Sequence, residues 1–161
     1  MLTRGGEHIA APGWFTAGLP KIPMDGELWV GRGKFSETVS ILLRQTADDA
    51  AWRRIRFMVF DLPAHPGSFT ERKEALKTLL AVVALPWVRQ VEQIKVADHA
   101  QLRAMLDKVV KNGGEGLMLH RGASHYRAER SDDLLKLKPY QDAEARVIGH
   151  LPGKGKNSGM L

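Results

Sequence analysis

No apolar run in this chain approaches the ~20 residues needed to span a bilayer, and the runs that exist are short and change period along the sequence. Val39, Leu42 and Leu43 recur at helical spacing, whereas Ile55, Phe57, Met58, Val59 and Phe60 form a compact apolar run stopped by Pro63. Short strands interleaved with a few helices predict an α+β domain with an antiparallel sheet. The chain's 161 residues suffice for one domain with one sizeable core, not for two. The segment 1–25 is rich in Gly and Pro and predicts loop with at most short helical turns.

The remaining elements follow from the same rules. Asp25-Gly26 predicts a tight turn entering a strand over Glu27–Val30. Ser36 is the expected N-cap of a helix over 38–45. A buried strand is expected over 54–62, a helix from Thr70 to about Val83, and a strand over 88–94. Asp98 is the expected N-cap of a helix through Lys111 with Leu102, Met105, Leu106, Val109 and Val110 on one face. Asn112-Gly113-Gly114 should end that helix with a left-handed cap. Strands are then expected over 116–120, 134–138 and 143–151, followed by a Gly/Lys loop over 152–159.

Charge and motifs narrow the chemistry. Lys plus Arg number 24 against 18 for Asp plus Glu, a net charge of +6 that favours polyanionic partners. The absence of cysteine excludes disulfide scaffolds, thiolate zinc sites and thiol nucleophiles. The six histidines show no metal-ligand spacing, and neither a P-loop nor a nucleophile elbow is present. No signal-peptide apolar core opens the chain, and Met1–Gly6 reads like the middle of a domain.

Four short motifs remain. On a strand, Lys136 and Lys138 share one face and Leu135 and Leu137 the core face, so two ammonium groups could meet a phosphate; a solvated basic face is the other reading. Glu115, flanked by glycines at the mouth of an apolar strand, suits a hard cation shared with phosphate, or is an exposed residue after a helix cap. Glu27 could accept from a ribose hydroxyl or belong to a plain turn. Phe60, beside Asp61, could stack on a base or lie in the core.

In order, TRGG, DGELW, FMVFDLP, GGEGLMLHR and LLKLKPY resemble the nucleotidyltransferase motifs of ATP-dependent DNA ligases, most closely the small bacterial ligases, some of which are exported to the periplasm. The resemblance implies an ATP-grasp-like nucleotidyltransferase domain over 1–142, with mainly antiparallel sheets flanked by helices. AEARVIGH and PGKGKNSGML imply that 143–161 begins an OB-fold. It further implies ATP (as AMP) and Mg2+ as cofactors, nicked duplex DNA as partner, and a bacterial cytoplasmic or periplasmic location; the short apolar runs predict no membrane span, and a monomer is the simplest expectation. In such ligases a lysine takes AMP from ATP, AMP passes to the 5′-phosphate of a nick, and the 3′-hydroxyl displaces it. The matching positions are Arg4 for ribose and nick phosphate, Glu27 for ribose and Phe60 for adenine. Glu115 matches the magnesium position, and Lys136 and Lys138 match the AMP-phosphate lysines. The family's nucleophile motif, K-x-D-G, does not occur in this sequence; Lys21 stands four residues before Asp25 rather than two. The isolated chain is therefore expected to be inactive. The competing readings are an RNA ligase or capping-type nucleotidyltransferase, a non-catalytic nucleic-acid or nucleotide-binding module, and an α/β domain whose motif positions are only structural.

Overall fold

A computed structural model of the protein describes residues 1–140, 144–155 and 158–159. A three-stranded sheet is built from β1 (Asp25–Trp29), β2 (Arg56–Asp61) and β3 (Val88–Gln90), with β2 in the middle. A second sheet is the antiparallel hairpin of β4 (Leu117–His120) and β5 (Leu134–Leu137). The helices are α1 (Gly13–Thr16), α2 (Phe35–Leu42), α3 (Asp49–Trp52), α4 (Phe69–Val83) and α5 (His99–Lys111).

The three-stranded sheet is mixed, while the second sheet is antiparallel. β1 runs antiparallel to β2, but β2 and β3 run parallel with α4 as the crossover between them. A helix of 15 residues returns the chain to the end of the sheet where β2 began, so the next strand must run the same way. β3 is also shorter than the expected 88–94. Val91 N–H still donates to Val59 O at 2.8 Å, but the Gln93 side chain then takes Phe60 O at 2.9 Å in place of a ladder bond.

β2 is a half-buried strand. Phe57, Val59 and Asp61 face inward and Phe60 outward, 41% exposed. Phe57 and Val59 join Phe15, Ile41, Trp52, Ile55, Leu62, Leu76 and Val88 in the core. The Gly/Pro-rich start contributes more than loop. Phe15 of α1 is fully buried edge-on to Trp52 at 4.8 Å, and Trp87 Nε1 donates to Phe15 O at 3.0 Å. Aromatic residues bring so much apolar area that one helical turn suffices to anchor this segment.

Two local expectations change. Ser36 lies inside the first turn of α2; Lys34 is the N-cap, with no side-chain cap, and its carbonyl accepts from Thr38 Oγ1 at 3.0 Å. Asp25 and Gly26 are strand, with a register shift between them, not a turn. A Cβ on Gly26 would lie 2.5 Å from Phe57 Cε2 and 2.7 Å from Met58 O. Gly26→Ala should therefore destabilise the domain by about 1–3 kcal/mol, as overpacking does, measured by chemical denaturation.

α4 begins with a capping box in which Ser68 accepts from Glu71 N–H and Glu71 accepts from Ser68 N–H. Its next free N–H groups do not go to water. Phe69 N–H donates to Ser124 O at 2.8 Å and Thr70 N–H to Gly122 O at 3.0 Å, docking the β4–β5 loop on the helix N-terminus. α5 has the expected Asp98 cap and a half-buried apolar face. It ends in a Schellman motif, with Gly114 N–H to Val109 O and Gly113 N–H to Val110 O, both at 2.9 Å.

The strand expected over 143–151 is not formed: the described residues 144–155 hold no strand, Val147 and Ile148 are exposed, and Ala143 lies outside the described residues. No OB-fold is evident among the described residues. A strand's N–H and C=O groups need a neighbouring ladder, and no described segment supplies one here. No helix among the described residues is long and apolar enough to cross a membrane.

Candidate functional site

The sequence-predicted residues fall into two groups and one outlier. Glu27 sits opposite Met58 across the β1–β2 ladder, and Phe60 is two residues further along β2. Cross-strand partners and i, i+2 neighbours share a face, so Glu27, Met58 and Phe60 stand together on the outer face of the sheet. Both Glu27 and Phe60 are exposed, so the reading of Phe60 as core is excluded.

The second group converges fully. Lys138 Nζ lies 2.9 Å and Lys136 Nζ 3.3 Å from the same oxygen, Glu115 Oε2. Lys136 lies in β5 and Lys138 directly follows its last residue, Leu137, yet both side chains reach the same carboxylate. Their hydrogen bonds, Lys138 first and Lys136 second, hold the Glu115 carboxyl below its ordinary range, and Glu115 in turn raises the Lys138 ammonium. The opposite face departs from expectation: Leu137 is half-buried but Leu135 is 51% exposed, because a two-stranded hairpin cannot cover itself. Because the folded-state pKa is depressed, the cluster keeps its charge as pH falls until it passes that lowered value. An NMR titration should place the Glu115 midpoint below the ordinary 4.5. Lys138→Ala should return it upward more than Lys136→Ala does.

Arg4 stands apart. It is exposed in the tight turn closed by the Leu2–His8 bridge, and no hydrogen bond or ion pair among the described residues joins it to either group. Lys21 is exposed in a bend.

Residues 10–138 match the family described as the ATP dependent DNA ligase domain. The chain belongs to that family.

Among relatives of this ligase domain, a DNA ligase of Haemophilus influenzae is 33% identical over 161 residues, all of this chain and 59% of the relative. The chain thus spans about three-fifths of that relative. A solved Lig E DNA ligase structure, from a study of DNA binding with a minimal scaffold, superposes with a TM-score of 0.88 at 42% identity, covering 98% of this chain and 62% of that one. The Chlorella virus DNA ligase-adenylate superposes with a TM-score of 0.72 at 23% identity, over 89% of this chain and 57% of that one, and shows the fold alone.

The ligase domain also contains a polar network that sequence reasoning missed. Arg72 of α4 is fully buried and forks onto Asp61, Nε to Oδ1 at 2.6 Å and Nη2 to Oδ2 at 3.0 Å. Its Nη1 donates to Gly67 O and Ser124 O, each at 3.0 Å. Beside it, Tyr126 donates its hydroxyl to Asp25 Oδ2 at 2.7 Å. The available signal was positional: Arg72 stands four residues before the buried Leu76, on the core face of α4, where a charge needs a partner.

Proposed function

We propose that this chain is the nucleotide-handling core of an ATP-dependent DNA ligase that seals nicks in duplex DNA. The observation that carries the reading is the convergence of Lys136 and Lys138 on Glu115 at 3.3 and 2.9 Å, within a family whose members are ATP dependent. Two ammonium groups already clustered around one carboxylate are placed to exchange it for a phosphate oxygen. Phosphoryl transfer asks of a protein mainly positioning and electrostatic stabilisation.

In this reading Phe60 stacks on adenine and Glu27 accepts from the ribose. Lys136 and Lys138 neutralise the AMP phosphate, and Arg4 meets the nick phosphate. Residues 1–142 form the ATP-grasp-like nucleotidyltransferase unit and 143–161 lead into an OB-fold domain. The donor set suits magnesium as an ion shared with substrate phosphate. No group of three or more acidic or histidine side chains is present among the described residues, so the ion would be held by Glu115 together with substrate phosphate, as magnesium commonly is. There it would supply positive charge against the developing phosphate charge. DNA as partner is supported by the net charge of +6 and by the DNA-binding ligase it resembles; such binding should weaken steeply with salt.

The test is ATP titration of the purified chain with magnesium, together with intact mass. Wild type should bind, Lys136→Glu/Lys138→Glu should lose binding, and Phe60→Ala should weaken it by roughly 1–3 kcal/mol. Without a K-x-D-G lysine, no AMP adduct is expected. Unchanged ATP affinity in the double charge reversal would overturn the phosphate role, and an adduct on Lys21 would make that residue the nucleophile.

A further inference from the structure

The two halves of the nucleotide site sit on different sheets, and no hydrogen bond or ion pair among the described residues joins Glu27 or Phe60 to Glu115, Lys136 or Lys138. Something else must hold the halves in register, because charge placed an ångström away from a phosphate loses much of its effect. Arg32, just after β1, reaches the end of α5 ahead of Glu115 through Val109 O and Asn112 O, and the loop 121–133 reaches across to the start of β1. This loop joins β4 to β5 directly, and its neck is closed by Arg121 N–H to Asp133 O at 2.9 Å. Midway along it, Tyr126 reaches β1 and donates to Asp25 Oδ2 at 2.7 Å. Asp25 sits at the register shift where β1 begins, two residues before Glu27.

We propose that Tyr126 is a positioning residue that fixes the hairpin carrying Lys136 and Lys138 relative to the sheet face carrying Glu27 and Phe60, through its hydrogen bond to Asp25. The surroundings favour a fixed bond over a chance contact. The Arg72 guanidinium lies 5.8 Å from the Tyr126 ring centre and bonds Ser124 O of the same loop, so the loop is tied to α4 beside the ring. The bond to Asp25, aided by burial, pushes the phenol up to about 12, so it remains a donor throughout the neutral range.

The inference rests on the nucleotide reading above, and adenosine and AMP separate the two. Adenosine needs only the Glu27/Phe60 half; AMP needs both. NMR-detected titrations of the folded chain should show a preference for AMP over adenosine that Lys138→Ala erases. Tyr126→Phe should cut that preference about threefold or more, the worth of one hydrogen bond, while adenosine affinity stays at the wild-type value. Asp25→Asn, which keeps an acceptor oxygen, should retain the preference. Asp25→Ala should lose it, and it reads the same bond from the other end if Tyr126→Phe does not fold. A Tyr126→Phe variant, or in its place Asp25→Ala, that keeps the preference while Lys138→Ala erases it would overturn the positioning role alone. A wild-type chain with no preference for AMP would overturn the nucleotide reading and the positioning role with it.

Discussion

Arg72→Ala is expected to lower the stability of this domain by about 3–5 kcal/mol, the range for breaking one side of a buried ion pair. The effect is large because the guanidinium has no access to water and serves four oxygens: both of Asp61, Gly67 O and Ser124 O. Truncation leaves a buried carboxylate without its counter-charge and Gly67 O without a donor, while Ser124 O keeps the N–H of Phe69. For a chain of this length the loss should appear as a fall in melting temperature of roughly 10 °C or more. Two controls apportion the effect. Arg72→Lys keeps the charge but not the fork, so it should recover only part of the stability. Arg72→Met combined with Asp61→Leu removes both charges and should be more stable than Arg72→Ala, since an apolar pair can replace a buried ion pair. Recovery should be incomplete, because Gly67 O still lacks its donor and Ser124 O keeps only the N–H of Phe69. A double variant no more stable than Arg72→Ala would place the loss in the packing around α4 instead of the orphaned carboxylate.

Gly116→Ala is the second large effect, and it reaches the site directly. Gly116 has a φ of +154° and carries the chain from Glu115 into β4. A Cβ there would sit 2.1 Å from Leu137 O and 3.1 Å from Leu137 C, both backbone atoms of the paired strand. Backbone cannot rotate aside as a side chain can, so β4 and β5 must separate at this end. The combined steric and backbone strain should destabilise the domain by about 3 kcal/mol or more. The separation also parts Glu115 from Lys138, so the Glu115 midpoint should rise toward 4.5, its unperturbed value. Chemical denaturation and an NMR titration of the Glu115 carboxyl measure the two consequences together. A stable variant with an unmoved Glu115 midpoint would show that the hairpin absorbs the methyl group.

Lys136 and Lys138 were legible in the sequence as a pair, and Glu115 as a separate carboxylate between glycines. The strand period alone puts alternate lysines on one face, and a Gly-Gly-Glu-Gly stretch marks a close backbone approach. Their meeting at one carboxylate oxygen was not legible, since 21 residues separate Glu115 from Lys136 and only the antiparallel register brings Met118 opposite Lys136. Phe60 shows the same division. Its place in an apolar run allowed core or ligand, and the neighbours on either side of β2 decided for the exposed face.

The local chemistry of the chain was determined by sequence: the Asp98 cap, the Gly113-Gly114 helix end, the period of β2 and β5, and the ordered motifs of the ligase family. Each depends on residues a few positions apart, where side-chain and backbone preferences act without tertiary help. Tertiary structure alone decided the parallel β2–β3 pairing, the burial of Arg72 on Asp61 and the reach of Tyr126 to Asp25, a separation of 101 residues. A buried charge or a long-range hydrogen bond takes its energy from its partner and from the exclusion of water, and neither exists until the chain has closed around them.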